Sequence, residues 1–163
     1  MWERHLLNSA VMAELVPRPC SLVDIGSGAG LPGIVLAQVL PDCEVVLLEP
    51  MLRRATFLEE CVTELGLGNV SVLRVRAEQM AGELAVDVVT ARAVAPLDRL
   101  AALAVGLLNP GGIVLAVKGA KAAAEVRDAK VALDRLGLRD PEVLVVGSGK
   151  VDPAATVVRL TAR

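Results

Sequence analysis

The stretch Val23-Asp-Ile-Gly-Ser-Gly-Ala-Gly-Leu-Pro-Gly33 decides the fold of this chain. Apolar residues lead to an aspartate and then to a glycine-rich segment, which is typical of a strand that turns tightly into a helix. Glycine tolerates positive φ and has no Cβ, so a ligand can approach this backbone closely. Pro32 suits the first turn of a helix, where its missing N–H costs little. We therefore predict that free amides of this turn and the helix start bind an adenosine-containing cofactor.

Two cofactor classes fit this turn. Gly28-x-Gly30-x-x-Gly33 matches the dinucleotide fingerprint of nicotinamide enzymes. Asp24 and Gly26 give the alternative pattern Asp-x-Gly-x-Gly-x-Gly, which resembles the first motif of class I S-adenosylmethionine-dependent methyltransferases. In that case Asp24 would meet the ammonium group of the cofactor, directly or through water. We favour S-adenosylmethionine, with Asp24, Gly26, Gly28 and Gly30 as candidate cofactor-binding residues.

Length and composition indicate one α/β domain over residues 1–163, with an N-terminal helix over 1–16 packed on a cofactor-binding core over 21–163. Apolar residues make up 54% of the chain, which is enough for a substantial core. Trp2 and Phe57 are its only aromatic residues, so base stacking has few platforms. The net charge of −2 does not attract nucleic acid, and RNA binding would need a local basic patch.

The cysteines predict a reduced, cytoplasmic protein. Cys20, Cys43 and Cys61 are odd in number and scattered, so they form neither a disulfide framework nor a metal-binding pattern. The charged start of the chain is unlike a signal peptide, and glycine or charge interrupts every long apolar run. We expect neither a bound metal nor a membrane span.

Alternating strands and helices predict a doubly wound, mostly parallel sheet flanked by helices. The predicted strands are 21–25, 44–48, 70–75, 86–90, 113–117, 142–146 and 156–160, and the predicted helices are 2–16, 31–40, 51–65, 96–108 and 122–136. Ligands of such sheets bind beyond the carboxyl ends of the strands. Catalytic and binding residues are therefore expected at those ends.

Two carboxylates follow strands on the cofactor side. Glu49 ends the second predicted strand, where an acid can accept hydrogen bonds from both ribose hydroxyls. Ala77 and Glu78 follow the third strand, where a methyltransferase sheet places the adenine ring. The alternatives are an ordinary strand-end charge for Glu49 and a helix-start acid for Glu78.

Arg92 follows the fourth strand, in a loop that normally faces the transferred methyl group. The Asn/Asp-Pro-Pro-aromatic motif of many amino-methylating enzymes is missing from this loop, which favours ring-nitrogen, oxygen or carbon targets. Arginine is planar and bidentate, so Arg92 suits a phosphate or the acceptor edge of guanine; the alternative is a surface ion pair. His5, the only histidine, is a candidate base or a packing residue.

Basic residues near several strand ends could form a rim for RNA. They are Arg53, Arg54, Arg74, Arg76, Lys118, Lys121, Arg127 and Lys150. Each one alone is more typical of a solvated charge.

These motifs together resemble the bacterial small-subunit rRNA guanine-N7 methyltransferase family, also called glucose-inhibited division protein B. The resemblance runs in order through Trp2-Glu-Arg-His-Leu-Leu-Asn-Ser9, Val23–Gly33, Leu47-Leu-Glu-Pro50, Arg53-Arg-Ala-Thr-Phe-Leu58, Arg76-Ala-Glu78, Ala91-Arg-Ala-Val94 and Ala116-Val-Lys-Gly119. Family members usually carry a further helical segment before the Trp-Glu-Arg-His motif, so the resemblance implies a truncated or unusual start.

The resemblance implies cytoplasmic transfer of a methyl group from S-adenosylmethionine to N7 of a guanosine in a 16S rRNA loop. The cofactor would bind through Gly26, Leu31, Ala77, Glu78 and Arg92, with Glu49 on the ribose. Arg92 would also be the catalytic residue. The expected partner of this monomer is 16S rRNA or the small ribosomal subunit.

Three other functions remain open on the residues themselves. A class I methyltransferase could act on another RNA position or on a small molecule, and an enclosed apolar pocket would favour the latter. A nicotinamide-dependent oxidoreductase would need a proton-transfer pair that we do not find. A non-catalytic RNA-binding remnant would bind RNA without methyl transfer.

Overall fold

The structure, a computed structural model, describes residues 2–92 and 94–163, without the side chain of Trp2. Met1 and Ala93, which fall in the predicted start of the chain and in the loop predicted to carry Arg92, lie outside the described residues. The helices are α1 (Trp2–Val11), α2 (Gly33–Val39), α3 (Leu52–Glu64), α4 (Leu97–Val105) and α5 (Ala122–Leu136), with 3-10 turns at Met12–Leu15 and Ala77–Met80. The strands are β1 (Ser21–Ile25), β2 (Glu44–Leu48), β3 (Val70–Leu73), β4 (Val86–Arg92), β5 (Leu108–Lys118), β6 (Leu138–Val146) and β7 (Ala155–Ala162).

These strands form one seven-stranded sheet in the order β3-β2-β1-β4-β5-β7-β6. The pairs within β3-β2-β1-β4-β5 are parallel, and β7 runs antiparallel to both of its neighbours. The predicted doubly wound, mostly parallel sheet is confirmed. Its strand order reverses between β1 and β4, so the ligand crevice of this fold class is expected at their carboxyl ends.

β1 lies at the centre of the sheet, and its two faces pack against separate cores. Val23 belongs to the core that contains Leu97 of α4. Leu22 faces the opposite core, which contains Leu36 of α2 and Met12 after α1. Side chains alternate between the faces of a strand. Asp24 therefore points to the α2 side of the sheet, under the glycine-rich turn.

The prediction for residues 96–112 is wrong in part. The helix predicted to Leu108 ends at Val105, and the turn-forming stretch 109–112 lies inside β5 rather than before it. The register between β4 and β5 shifts there, so that these residues bulge out of the ladder. Asn109 Nδ2 donates a hydrogen bond to Asp87 Oδ1 over 3.1 Å, which ties the bulge to β4.

Other boundaries differ by less. The N-terminal helix changes from α to 3-10 geometry at Met12, and β3 ends at Leu73 instead of residue 75. The strand predicted over 142–146 begins at Leu138. It passes an irregular pairing next to Asp140, a non-glycine residue with a φ of 53°. Among the described residues, no helix is long and apolar enough to cross a membrane.

Candidate functional site

The glycine-rich turn begins where β1 ends and is fixed by contacts to β2. Gly26 and Gly30 have φ values of 62° and 90°, which residues with a Cβ rarely adopt. The Ser27 amide donates to the Leu48 carbonyl over 3.1 Å. A Cβ on Gly26 would come within 3.1 Å of Val94, so the turn and the loop after β4 are in close contact. The predicted strand-turn-helix geometry is confirmed.

Asp24 supports this turn from beneath. Its side chain is buried, and its Oδ1 accepts a hydrogen bond from the Thr90 hydroxyl of β4 over 2.9 Å. Its Oδ2 accepts one from the Gly33 amide over 3.2 Å. Burial raises the pKa of Asp24 to about 6, although the hydrogen bonds from Thr90 and Gly33 act in the opposite direction. Asp24 therefore joins β1, β4 and the start of α2 through one carboxylate.

Glu49 supports the turn from the side. Its Oε2 accepts a hydrogen bond from the Gly28 amide over 2.9 Å, and its Oε1 accepts one from the Met51 amide over 3.0 Å. The residue is almost fully buried, yet its carboxylate lines a cleft in front of the turn. Each carboxylate oxygen can accept a second hydrogen bond. Glu49 is thus oriented by the backbone and still able to bind a hydroxyl group.

We call this space the loop cleft; it measures about 640 Å³. It is lined by residues of the turn, of β2 and of β4, among them Gly26, Gly28, Leu31, Glu49 and Arg92.

The turn has few amides left for an anion. Those of Ser27, Gly28 and Gly30 donate to Leu48, Glu49 and Ser27 respectively. At the helix start, Pro32 has no N–H and the Gly33 amide is bound to Asp24. The expectation that the turn offers free amides is therefore wrong for these residues. Two carboxylates border the turn, which disfavours a pyrophosphate and suits hydroxyl and cationic groups.

A smaller space, the side cavity, continues the loop cleft past Gly26 and measures about 190 Å³. Ala77 and Glu78 line it from the 3-10 turn after β3, together with apolar residues such as Leu48 and Leu103. Its walls are partly apolar and partly charged, and the Glu78 carboxylate can accept a hydrogen bond from the amino group of a flat ring. The residues present thus fit the adenosine part of S-adenosylmethionine.

Arg92 ends β4 at the border of the loop cleft and pairs with α1. Its guanidinium NH2 donates to His5 Nδ1 over 2.7 Å. The positive charge of Arg92 is the main factor that lowers the pKa of His5. His5 is thus neutral near pH 7, with Nδ1 as the acceptor, so its remaining proton is on Nε2. His5 is half-buried on α1, with its Nδ1 engaged by Arg92.

The loop after β4 is held by a charged clamp. Lys118 Nζ, at the end of β5, donates to the Ala95 carbonyl over 2.8 Å and forms an ion pair with Glu125 of α5 over 2.8 Å. Glu125 Oε2 also accepts a hydrogen bond from the Leu97 amide over 3.2 Å. The Lys118 side chain is 9% exposed and that of Glu125 is 31% exposed, so the lysine side of the pair is buried and the carboxylate side is partly open to solvent.

Beyond Arg92 lies a second, partly open space, the helix cavity, of about 360 Å³. Arg4, His5 and Asn8 of α1 line one wall. The opposite walls consist of the end of β5 with Lys118 and the start of β7 with Thr156. His5 and Arg92 also line the loop cleft, so this pair separates the two spaces.

The structure brings most of the predicted site residues to one edge of the sheet. Five line the loop cleft, and three line the side cavity because Gly26 borders both spaces, while Asp24 and Gly30 line neither. Asn8 and the position of His5 at the site are not evident from the sequence motifs. Their helical spacing places them on one face of α1, and that spacing was the available signal.

The basic residues divide into bound and free groups. Lys118 is engaged in the clamp, and Lys150 forms an ion pair with Glu14. Arg53 and Arg54 line an outer groove that adjoins the loop cleft at Gly28. Within residues 2–92 and 94–163, we find no cluster of three acidic, histidine or cysteine side chains that could hold a metal ion.

Solved structures share this architecture. An S-adenosylmethionine-dependent O-methyltransferase from Thermotoga maritima superposes with a TM-score of 0.75 at 20% identity, covering 96% of this chain and 64% of that one. A ribosomal protein L11 methylase from Lactobacillus delbrueckii gives a TM-score of 0.74 at 15% identity, covering 98% of this chain and 78% of that one. The expected class I methyltransferase fold is confirmed.

Sequence relatives are much closer. The ribosomal RNA small subunit methyltransferase G of Thermobifida fusca is 55% identical over 161 residues, which cover 99% of this chain and 68% of the relative. The protein of the same name from Streptomyces avermitilis is also 55% identical, covering 98% of this chain and 68% of the relative. A sequence profile described as GidB, rRNA small subunit methyltransferase G, matches residues 1–151. The chain therefore belongs to the rRNA small subunit methyltransferase G family.

Proposed function

We propose that this chain transfers a methyl group from S-adenosylmethionine to N7 of a guanosine in small-subunit rRNA. Family membership supports the rRNA substrate, and the acceptor-rich loop cleft supports the cofactor. The observation that carries the choice of cofactor is the turn itself. The amides of Ser27, Gly28, Gly30 and Gly33 are bound within the protein, which leaves fewer donors for the pyrophosphate of a dinucleotide.

Each predicted site residue has a role in this proposal. Glu49, already oriented by two amides, accepts the ribose hydroxyls. Ala77 and Glu78 bind the adenine ring in the side cavity, and Gly26 and Leu31 allow the cofactor to lie close to the turn. Gly28 and Gly30 shape the turn. Asp24 acts as a positioning residue, because its carboxylate holds the start of α2 and does not line the cleft.

Arg92 holds the reacting partners at the border of the two spaces. S-adenosylmethionine supplies a methyl group that its sulfonium already activates. Guanine N7 has an in-plane lone pair and no proton, so the protein needs no general base. The neutral state of His5, with Nδ1 occupied by Arg92, agrees with a reaction that transfers no proton. Alignment of N7 with the methyl carbon is then the main contribution of the protein.

An RNA substrate is supported over a small molecule by charge. Arg53 and Arg54 border the outer groove, and Arg4 reaches the helix cavity. Phosphate contacts of this kind supply much of the affinity for RNA. N7 lies in the deep, narrow major groove of A-form RNA, so an open or distorted loop is the expected substrate form.

The experiment is to incubate the protein with methyl-labelled S-adenosylmethionine and small subunits that lack the modification, and to map the labelled base. We expect one labelled guanine that carries the methyl on N7. Naked 16S rRNA serves as a parallel substrate and shows whether the assembled subunit is required. Label on another base or atom would refute the N7 assignment, and absence of label from both substrates would support a binding remnant.

A further inference from the structure

The helix cavity has a polar group without a protein partner. Asn8 Oδ1 is buried and has no hydrogen-bond partner among the described residues. Asn8 lies one turn after His5 on α1, so both side chains face the same cavity. A buried polar atom without a partner is costly. Asn8 as a residue is half-buried and lines the cavity, so a rotation of its side-chain amide would turn this acceptor toward a ligand that donates a hydrogen bond.

The cavity also lies next to the expected reaction centre. Arg92 and His5 form its boundary with the loop cleft, so a flat ring in the helix cavity would present one edge to that cleft. A volume of about 360 Å³ falls within the range of small-ligand pockets. Enzymes that modify a base commonly bind it outside the stack, in a pocket of this kind.

Guanine and adenine differ in the group they would offer to Asn8. The Watson–Crick edge of guanine carries the N1–H and N2–H2 donors, and N7 lies on the far side of the base. Adenine has an acceptor at N1, which would face the Asn8 oxygen and leave both acceptors without a hydrogen. A site with a fixed acceptor therefore selects guanine, since the wrong base leaves buried polar groups unpaired.

We propose that the helix cavity binds the extruded target guanine, with Asn8 Oδ1 accepting from its N1–H and N2–H2 edge and N7 turned toward Arg92 and the loop cleft. This inference rests on the proposed N7 methylation and adds a base-recognition residue to it. Asn8 selects the base and touches no reacting atom. The competing occupant of the cavity is an ordered water that satisfies Asn8.

The test compares Asn8→Ala with Asn8→Asp in single-turnover methylation at saturating cofactor. The substrates are small subunits with guanine or adenine at the mapped position. Removing the acceptor in Asn8→Ala should slow transfer to guanine by about 10- to 100-fold. The rate of transfer to adenine should not fall in Asn8→Ala. A carboxylate keeps an acceptor at the same place, so Asn8→Asp should retain most of the rate on guanine.

Three further measurements separate recognition from folding and from the wider proposal. Cofactor affinity should be unchanged in both variants, and Asn8→Ala should unfold at a temperature no lower than the wild type, because it removes a buried acceptor without a partner. Glu3→Ala, on the exposed part of α1, is the matched control. A wild-type rate on guanine in a folded Asn8→Ala protein would overturn the inference and leave the ordered water as the occupant. Equal losses in Asn8→Ala and Asn8→Asp would also overturn it. Wild-type protein that does not methylate N7 would instead refute the proposed function.

Discussion

The loop cleft and the helix cavity meet at Arg92 but differ in how they are built. Around the loop cleft, both carboxylates and most of the described turn amides bind one another, so the shape of the turn does not depend on a ligand. The helix cavity is bordered by charged side chains and retains a buried acceptor without a partner. The difference indicates that the loop cleft is preorganised by the fold, whereas the helix cavity keeps an acceptor that only a bound group would satisfy.

The largest effect is expected from a methyl group in the turn. A Cβ on Gly33 would lie 2.7 Å from Asp24 Oδ2 and would also overlap Leu47. Gly33→Ala should therefore displace the carboxylate and lower the free energy of unfolding by about 3 kcal/mol or more. Chemical denaturation measures the loss. Gly68→Ala is the control, because a Cβ there has open space, and an equal loss in both variants would contradict the contact.

Asp24 makes the stability of the loop side depend on pH. The carboxyl group has a pKa of about 6 in the folded chain and about 3.9 in an unfolded one. Protonation therefore favours the folded state. This contribution is fully present below about pH 3.9 and is lost as the pH rises through about 6. Relative to Asp24→Asn, the wild type should lose about 2–3 kcal/mol of unfolding free energy between about pH 4 and pH 7.

Comparing the unfolding free energies of the wild type and Asp24→Asn as a function of pH separates the contribution of Asp24 from those of other carboxyl groups. Asp87 has a lowered pKa, mainly because it accepts hydrogen bonds from Ser21, and it shifts both proteins alike in the opposite direction. A difference curve that is flat over the same pH range would show that burial does not raise the pKa of Asp24.

At the border between the two spaces, Arg92→Ala should slow methyl transfer by about a hundredfold, the effect of a misplacement of about 1 Å. Arg92→Lys should restore only part of the rate, because an ammonium group cannot reproduce a planar bidentate donor. Single-turnover methylation at saturating cofactor and RNA measures this. The control is Arg139→Ala, at the opposite end of the sheet. If a well-folded Arg92→Ala protein transferred the methyl group at the normal rate, Arg92 would be a surface charge without a role in the reaction.

For the cofactor, Glu49→Ala should weaken binding of S-adenosylmethionine by about 1.5–3 kcal/mol, the usual range for lost hydrogen bonds to a charged group. Calorimetry gives the affinity directly, and NAD should not bind to either protein. Glu44→Ala is a matched control, since Glu44 is an exposed residue at the other end of the same strand. Equal affinity of Glu49→Ala and the wild type for S-adenosylmethionine would refute the role of Glu49 in binding the ribose hydroxyls.

The smallest effect concerns RNA at the outer groove. Replacing Arg53 and Arg54 by glutamate should weaken RNA binding by about tenfold at low salt and flatten the salt dependence, because fewer counterions are released. A filter-binding titration at several salt concentrations shows the slope. Arg139→Glu should leave the slope unchanged. A salt-independent wild type would mean that this groove is not an RNA surface.

Prediction from the sequence was most accurate where the residues of a short segment alone determine its secondary structure. β1 and β2 consist mainly of Val, Leu and Ile, as buried parallel strands should, and both begin and end as predicted. The prediction failed at 109–112, where turn-forming residues are retained inside β5 as a bulge because the strand pairs with β4 on both sides of them. Long-range pairing of this kind leaves no signal in a short window.

The same contrast between local sequence rules and long-range contacts applies to the candidate site. Glu49 and Arg92 could be predicted because strand ends of parallel sheets converge on one edge. The pairing of His5 with Arg92 joins residues 87 positions apart and depends on how α1 crosses that edge. The sequence spacing also does not show that Asp24 points beneath the turn. In the structure, both oxygens of its carboxylate accept hydrogen bonds, from Thr90 and from Gly33.

The clamp formed by Lys118 and Glu125 has a consequence for the heat-capacity change of cofactor binding. It holds Ala95 and Leu97 through a backbone carbonyl and a backbone amide, independently of any ligand. The conformational entropy of that segment is thus lost during folding and not during binding. The heat-capacity change of cofactor binding should then reflect only the apolar surface covered in the cleft, without the larger change that accompanies the ordering of a loop.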